Sequence, residues 1–282
     1  MRMLTFLARR FVAGDTAQEA AGAVRRLNER GIKATLDFLG EECRAQDQAQ
    51  EAADEIVGLL RLIKEEGLDA NVSLKLTQLG LHLDPKKAKE RLLRIVGEAG
   101  NLQNFVRVDM EGSGYTQRTL DLFFDVFQSH RNTGIVIQAY LKRSRADIAA
   151  LCRAGARVRL CKGAYAEPPS VAFETREEVH RSFDQLARDL LDSGGLHALA
   201  THDEDRIQEA LRYAQSKGIG RDRFEFQMLY GLRPGRWTTL REQGCSVRVY
   251  VPYGTHWFPY FSRRLRERKE NWMFLLRSLL GG

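Results

Sequence analysis

Val247, Val249 and Val251 alternate with polar residues, the period-two signature of a half-buried strand, and Pro252 and Gly254 close that run. Near the other end, residues 17–30 place apolar side chains at helical spacing behind a capping Asp15 or Thr16, and Gly31 ends the stretch. Between them the two periodicities alternate. Strands are predicted over 34–39, 71–77, 105–110, 134–141, 157–162, 197–201, 224–229 and 246–251. Helices are predicted over 48–66, 85–99, 116–130, 145–154, 176–191, 204–216 and 236–243. They are followed by a helix from about Trp257 and a terminal one to about Leu280. On the Trp257 helix, Tyr260, Arg263, Arg264 and Glu267 share a polar face, while Phe258, Phe261 and Leu265 lie on another.

Eight strand-then-helix units with short connections occupy the chain from Ala34 to Gly282, close to the roughly 250 residues typical of a (β/α)8 barrel. The expected architecture is therefore α/β: a TIM-type barrel over 32–282, preceded by an N-terminal helical segment over 1–31 and closed by an extra C-terminal helix. The whole of 1–282 reads as one domain. A doubly wound open sheet is the competing arrangement, but its dinucleotide-binding form needs a Gly-rich turn after an early strand. Neither G-x-G-x-x-G nor G-x-x-x-x-G-K-[ST] occurs.

Composition narrows the class. Of 282 residues, 43% are apolar and 29% charged, as in a folded globular protein rather than a disordered one. No apolar run reaches membrane-spanning length and the first residues lack a signal-peptide pattern, so a cytoplasmic location is expected. Cys43, Cys152, Cys161 and Cys245 are widely spaced, which suggests reduced thiols and neither a zinc site nor a disulfide framework. The net charge of +7 is modest, and acids alternate with bases along the helices. A nucleic-acid partner is not expected. The basic cluster between Arg263 and Lys269 makes an anionic membrane surface a candidate contact, peripheral on the inner face of the cell membrane.

In a barrel, chemistry gathers at the C-terminal strand ends. There the sequence offers Lys75, then Asp109 and Glu111, then Gln138, then Arg159 and Lys162. Thr201 and His202 follow, then Gln227 and Tyr230, then Tyr250, and the last helix adds Tyr260, Arg263 and Arg264. Taken singly, a Lys or Asp at a strand end reads as half of an ion pair, Gln138 as a satisfied core amide and His202 as an ordinary helix-start residue. Cys161, Met110 and Met228 read as packing. Together, seven of eight strands deliver a polar group to one end. A mouth rich in Arg and Lys suits an anionic or zwitterionic substrate and a phosphate-bearing cofactor. Scarce histidine and the lack of H-E-x-x-H argue against metal hydrolysis.

The segments Leu-Lys-Leu-Thr (74–77), Val-Asp-Met-Glu (108–111), Val-Ile-Gln-Ala-Tyr (136–140) and Arg-Leu-Cys-Lys-Gly-Ala-Tyr (159–165) form one part of a set. Ala-Thr-His-Asp (200–203), Phe-Glu-Phe-Gln-Met-Leu-Tyr-Gly (224–231), Tyr-Val-Pro-Tyr-Gly (250–254) and Tyr-Phe-Ser-Arg-Arg-Leu (260–265) complete it. In this order they resemble proline dehydrogenase of the monofunctional bacterial type. The resemblance implies an FAD-bearing barrel that oxidises L-proline to Δ1-pyrroline-5-carboxylate, passes electrons to a membrane quinone, and leaves the product to a separate pyrroline-5-carboxylate dehydrogenase. It also implies catalytic roles for Asp109 and Arg159, and a substrate pocket of Lys75, Tyr250, Tyr260, Arg263 and Arg264. Flavin contacts from Met110, Gln138, Lys162, Gly163, Ala164, Thr201 and His202 are implied as well. Tyr230 and Cys161 depart from the family, in which His and Val are frequent at those places. The enzymatic alternative is a Schiff-base aldolase using Lys162 or Lys75 as nucleophile; the non-enzymatic one is a basic surface-binding protein.

Overall fold

The computed structural model describes residues 10–266, with side chains described as far as Ser262. Glu267 and the predicted terminal helix lie outside the described residues. Helix α1 (Ala17–Asn28) starts in a reciprocal capping box between Thr16 and Glu19 and buries Ala20, Val24 and Leu27. The chain then runs β1 (Lys33–Phe38), α2 (Gln46–Glu65), β2 (Ala70–Leu74), α3 (Pro85–Asn101), β3 (Val106–Val108), α4 (Ser113–Phe127), β4 (Thr133–Gln138) and α5 (Ser144–Arg153). It continues with β5 (Arg157–Cys161), α6 (Arg176–Asp192), β6 (His197–Ala200), α7 (Glu204–Ser216), β7 (Phe224–Leu229), α8 (Pro234–Glu242), β8 (Ser246–Tyr253) and α9 (Phe258–Arg266).

All eight strands are parallel, each pairs with its neighbour in sequence, and β8 returns to β1 to close the barrel. The predicted (β/α)8 architecture is therefore the observed one. Alternation explains how the strands do two jobs. Leu36, Val72, Leu74, Val106, Val108, Ile135, Val158, Leu160, Leu199, Phe226 and Val249 are buried in the main apolar core. The intervening residues include Thr35, Asp37, Asn71, Ser73, Arg107, Asp109, Arg159, Glu225, Gln227 and Arg248. They meet one another across the barrel through side-chain hydrogen bonds, as between Ser73 and Arg159 or Arg248 and Glu225. Barrel interiors are usually filled by layers of Val, Ile and Leu; this one is filled largely by paired polar groups.

Three boundaries differ from the sequence reading for physical reasons. Strands β2 and β3 stop at Leu74 and Val108, so Lys75, Asp109, Met110 and Glu111 follow the ladder instead of lying in it. Strand β8 continues through Pro252 to Tyr253, in register with Asp37 and Phe38. Pro252 offers no N–H but its carbonyl is used, accepting from Ala13 N at 2.8 Å. Finally, Phe258 does not share the buried face of Phe261: it is 59% exposed, whereas Phe261 and Tyr260 pack with Phe11, Val12 and Leu39.

Candidate active site

Asp109 is the hub of the barrel mouth. Its Oδ1 accepts from Ser73 Oγ at 2.6 Å and Arg159 Nη1 at 2.9 Å, and its Oδ2 from the Tyr250 hydroxyl at 2.9 Å. Lys75 Nζ lies 3.8 Å from the same Oδ2 and 3.0 Å from Asp37 Oδ2. Burial, opposed by the Lys75 ammonium and reinforced by Asp109, pushes the Asp37 carboxyl up to about 6. Burial pulls Lys75 the other way, yet Asp37 and Asp109 hold it above the ordinary lysine value. It is a fixed cation. Burial and the two carboxylates keep the Tyr250 phenol well above its usual value, so it donates a hydrogen bond at neutral pH. Beside them, burial raises Glu111 to about 7 against the Thr77 hydrogen bonds that pull it down.

Arg159 stands deeper. Its Nε donates to Gln227 Oε1, its Nη1 also reaches Ser73 Oγ at 3.2 Å, and its guanidinium carbon lies 5.3 Å from the centre of the Tyr250 ring. Nη2 is buried with no hydrogen-bond partner among the described residues. Gln138 is similar: its Nε2 donates to the Met110 carbonyl at 3.2 Å, while its Oε1 is buried without a partner among the described residues.

A cavity of about 1100 Å³ opens from this floor. Lys75, Asp109, Arg159, Tyr250 and Tyr260 stand in its wall, and so do Met110, Gln138, Lys162, Gly163, Ala164, Thr201 and His202. It extends to a polar rim at the starts of α6 and α7. There Lys162 Nζ lies 2.6 Å from Asp203 Oδ2 and 2.8 Å from His180 Nε2. Burial lowers the Lys162 pKa despite that carboxylate. Gly163 adopts φ +108°, and a Cβ there would sit 2.2 Å from Tyr140 Cδ1, so only glycine lets the backbone pass so close to that ring. His202 Nε2 accepts from Leu229 N at 2.9 Å, which ties β6 to β7 and leaves the ring's other nitrogen as the protonated one. Arg263 and Arg264 are placed on α9, two turns or less from Tyr260, but their side chains lie outside the described residues.

Twelve of the predicted site residues thus share one cavity wall. Three further participants escaped the sequence reading: Asp37, Ser73 and the carboxylate of Glu225 behind Gln227. Asp37 was the most legible, as the one acid inside the apolar run 34–39 and the polar strand-end group that strand one otherwise lacked. Ser73 and Glu225 carry the period-two signature of inward positions preceding Lys75 and Gln227.

The family model described as "Proline dehydrogenase" matches residues 20–277. "Proline dehydrogenase 1" of Bacillus subtilis (strain 168) is 41% identical over 273 residues, covering 97% of this chain and 90% of that protein. "Proline dehydrogenase" of Deinococcus radiodurans is 37% identical over 281 residues, covering 98% and 91%. Among solved structures, proline utilization A (PutA) from Bdellovibrio bacteriovorus inactivated by N-propargylglycine superposes with a TM-score of 0.88 at 25% identity. The match covers 95% of this chain and 33% of that one, so this chain spans about a third of the longer protein.

Proposed function

The chain belongs to the proline dehydrogenase family, and from that membership we propose that it oxidises L-proline to Δ1-pyrroline-5-carboxylate with FAD as resident cofactor and a membrane quinone as electron acceptor. The observation that carries the reading is the wall of the cavity. Its volume of about 1100 Å³ exceeds what a small amino acid needs. Gln138 Oε1 and Arg159 Nη2 present buried polar atoms without protein partners among the described residues, and Gly163 lets the backbone of the wall run close against the Tyr140 ring. These residues fit a flavin, with Met110, Lys162, Ala164, Thr201 and His202 completing the cofactor side.

When bound, FAD supplies the acceptor for the hydride that leaves C5 of proline. The protein's part is to hold the substrate and place charge. Asp37 and Asp109 neutralise Lys75 and Arg159, so the described floor has no spare positive charge for a substrate carboxylate. Arg263 and Arg264, on the helix that brings Tyr260 to the cavity, supply it by the bidentate geometry that guanidinium groups favour. Tyr250 and Tyr260 flank the ring, and Lys75 orients Asp109 and opposes the burial that raises Asp37. The substrate amine gives its proton to solvent water before C5–H cleavage, so that its lone pair forms the C5=N bond as the hydride leaves. Arg159, paired with Asp109 through Nη1, would offer Nη2, which has no partner among the described residues, as a hydrogen-bond donor that favours the reduced cofactor.

Of the two lysines open to the Schiff-base alternative, Lys75 is clamped between two carboxylates as a cation, and Lys162, although burial lowers its pKa, is held 2.6 Å from Asp203 Oδ2. Among the described residues no helix is long and apolar enough to cross a membrane. Contact with a quinone-bearing membrane is instead assigned to the edge of the mouth, where Phe258 is exposed beside Trp257. A visible spectrum of the purified protein, followed by anaerobic L-proline, tests the proposal. Two flavin bands that bleach are expected; bands that persist would remove proline as substrate, and a colourless protein that cannot be reconstituted would remove FAD.

A further inference from the structure

Below Arg159 the barrel interior carries a hydrogen-bonded chain that the reaction scheme above does not use. Arg159 Nε donates to Gln227 Oε1, and Gln227 Nε2 donates to Glu225 Oε1. Glu225 accepts from Arg248 Nε at 3.0 and 3.2 Å, and Arg248 Nη1 is anchored on the Ala34 carbonyl at 2.7 Å. Its central members are shielded from water: Arg159 is 5% exposed, Glu225 6% and Gln227 3%, while Arg248 is partly exposed. Despite burial, Arg248 and Arg107 hold the Glu225 carboxyl below its usual range, so it stays an acceptor only.

A glutamine amide has one accepting and one donating end. Flipped, Gln227 would turn its NH2 toward the Arg159 N–H, donor against donor, and its oxygen toward a carboxylate, acceptor against acceptor. The Arg159 N–H disfavours that arrangement at one end and the carboxylate at the other, so Glu225 supplies the half of the selection that Arg159 does not. We propose that Glu225, acting through the Gln227 amide, is the positioning residue for Arg159: it locks the guanidinium with Nη1 on Asp109 and leaves Nη2 for the cavity. The inference rests on the role given above to Arg159.

The test uses full-length holoenzyme. In Glu225→Gln, residue 225 can present a donor or an acceptor, and the half of the lock that the carboxylate supplies is lost. The rate constant for flavin reduction by proline is expected to fall about tenfold, the effect of weakening one charge-assisted hydrogen bond. The flavin midpoint potential should fall by about 30 mV, the two-electron equivalent of tenfold, with proline KM changed by less than about twofold. Gln227→Met, which leaves the Glu225–Arg248 pair intact, should lose the same rate and potential while keeping the melting temperature, so the idea remains testable if Glu225→Gln folds poorly. The exchange variant Glu225→Gln/Gln227→Glu restores an acceptor for Arg159 and a donor from residue 225 to residue 227, leaving Arg248 one of its two contacts, and should recover most of both quantities. If Arg159→Met is slow while Glu225→Gln and Gln227→Met retain wild-type rate and potential, the relay is overturned. If Arg159→Met itself reduces at the wild-type rate, the role of Arg159 falls and the relay's purpose with it.

Discussion

Lys75 and Asp37 form a buried ion pair, with Nζ 3.0 Å from Oδ2 and the Asp37 side chain fully enclosed at the end of β1. The pair has a second carboxylate, Asp109, 3.8 Å from the same ammonium. One cation therefore keeps two acids from repelling each other at the floor of the cavity, and everything Asp109 holds depends on it.

Lys75→Met should be costly. Removing one member of a buried pair usually costs roughly 3–5 kcal/mol. The deficit has a pH signature: Asp37, already pushed up to about 6, would lie higher still without the ammonium. A carboxyl whose folded pKa exceeds its unfolded value destabilises as pH rises through that window. Urea melts from pH 5 to pH 8 should show the variant losing stability relative to wild type as pH rises. The double variant Asp37→Asn/Lys75→Met should regain most of the loss, and a deficit independent of pH would remove the linkage to Asp37.

Asp109→Ala removes the acceptor for Ser73, Arg159 and Tyr250 together. Proline kcat/KM is expected to fall by about a hundredfold or more, in line with losing several positioned charges. FAD content should stay near that of wild type, because the cofactor-side wall formed by Gln138, Gly163 and Thr201 does not hydrogen-bond through Asp109. Near-normal kcat/KM in folded, flavin-replete protein would reject the assignment.

The fold was legible because short apolar runs, most of them interleaved with inward polar residues, alternate with stretches of helical period along the chain. That alternation marked eight units even where strand ends were misplaced by a few residues. The same inward polarity hid part of the site. Asp37 looked like an interruption of an apolar run, and only the pairing of β1 with β2, which sets Asp37 beside Ser73, reveals that it faces Lys75 from the neighbouring strand. The pairing of Gln227 with Arg159 spans 68 positions and depends on which side chains meet across the barrel. Phe258 was misread because helical spacing assigns a residue to a face but does not say where the rest of the chain covers that face.

Gly163→Ala tests the cofactor wall. A methyl group there collides with the Tyr140 ring at 2.2 Å and forces a side chain into φ +108°. The loop after β5 must shift. FAD affinity should weaken by about tenfold or more, the equivalent of one to three kcal/mol of local strain. The same strain should lower the melting temperature of the apoprotein, so affinity is compared at a temperature where both proteins are folded. Unchanged FAD affinity in a fluorescence titration would take Gly163 out of the cofactor side.

Arg264→Ala separates the two halves of the cavity. If the guanidinium holds the substrate carboxylate, proline KM should rise by about thirtyfold or more, as expected from loss of a charge-assisted bidentate contact, while flavin remains bound. An unchanged KM would leave the carboxylate without its assigned partner.

Acid stability turns on a group far from the chemistry. His197, at the start of β6, accepts from Val158 N through Nδ1 at 3.1 Å, so its proton sits on Nε2, which faces Ser193 Oγ at 2.8 Å. Protonating Nδ1 would place two donors against each other between β5 and β6. Burial, with Arg107 and Arg157 nearby, pushes the imidazole pKa down to about 4. A histidine held neutral contributes fully above its unfolded value near 6.5, and that contribution is lost as pH falls toward 4, about 3 kcal/mol in total. Asp37 and Glu111 have raised values and act with the opposite sign over part of the same range. The whole-protein curve therefore hides the effect, and the diagnostic quantity is the difference between wild type and His197→Asn. Asparagine cannot gain the proton, so the variant's penalty should be largest near pH 7 and shrink steadily to pH 4. A constant difference across that window would show that His197 contributes packing alone.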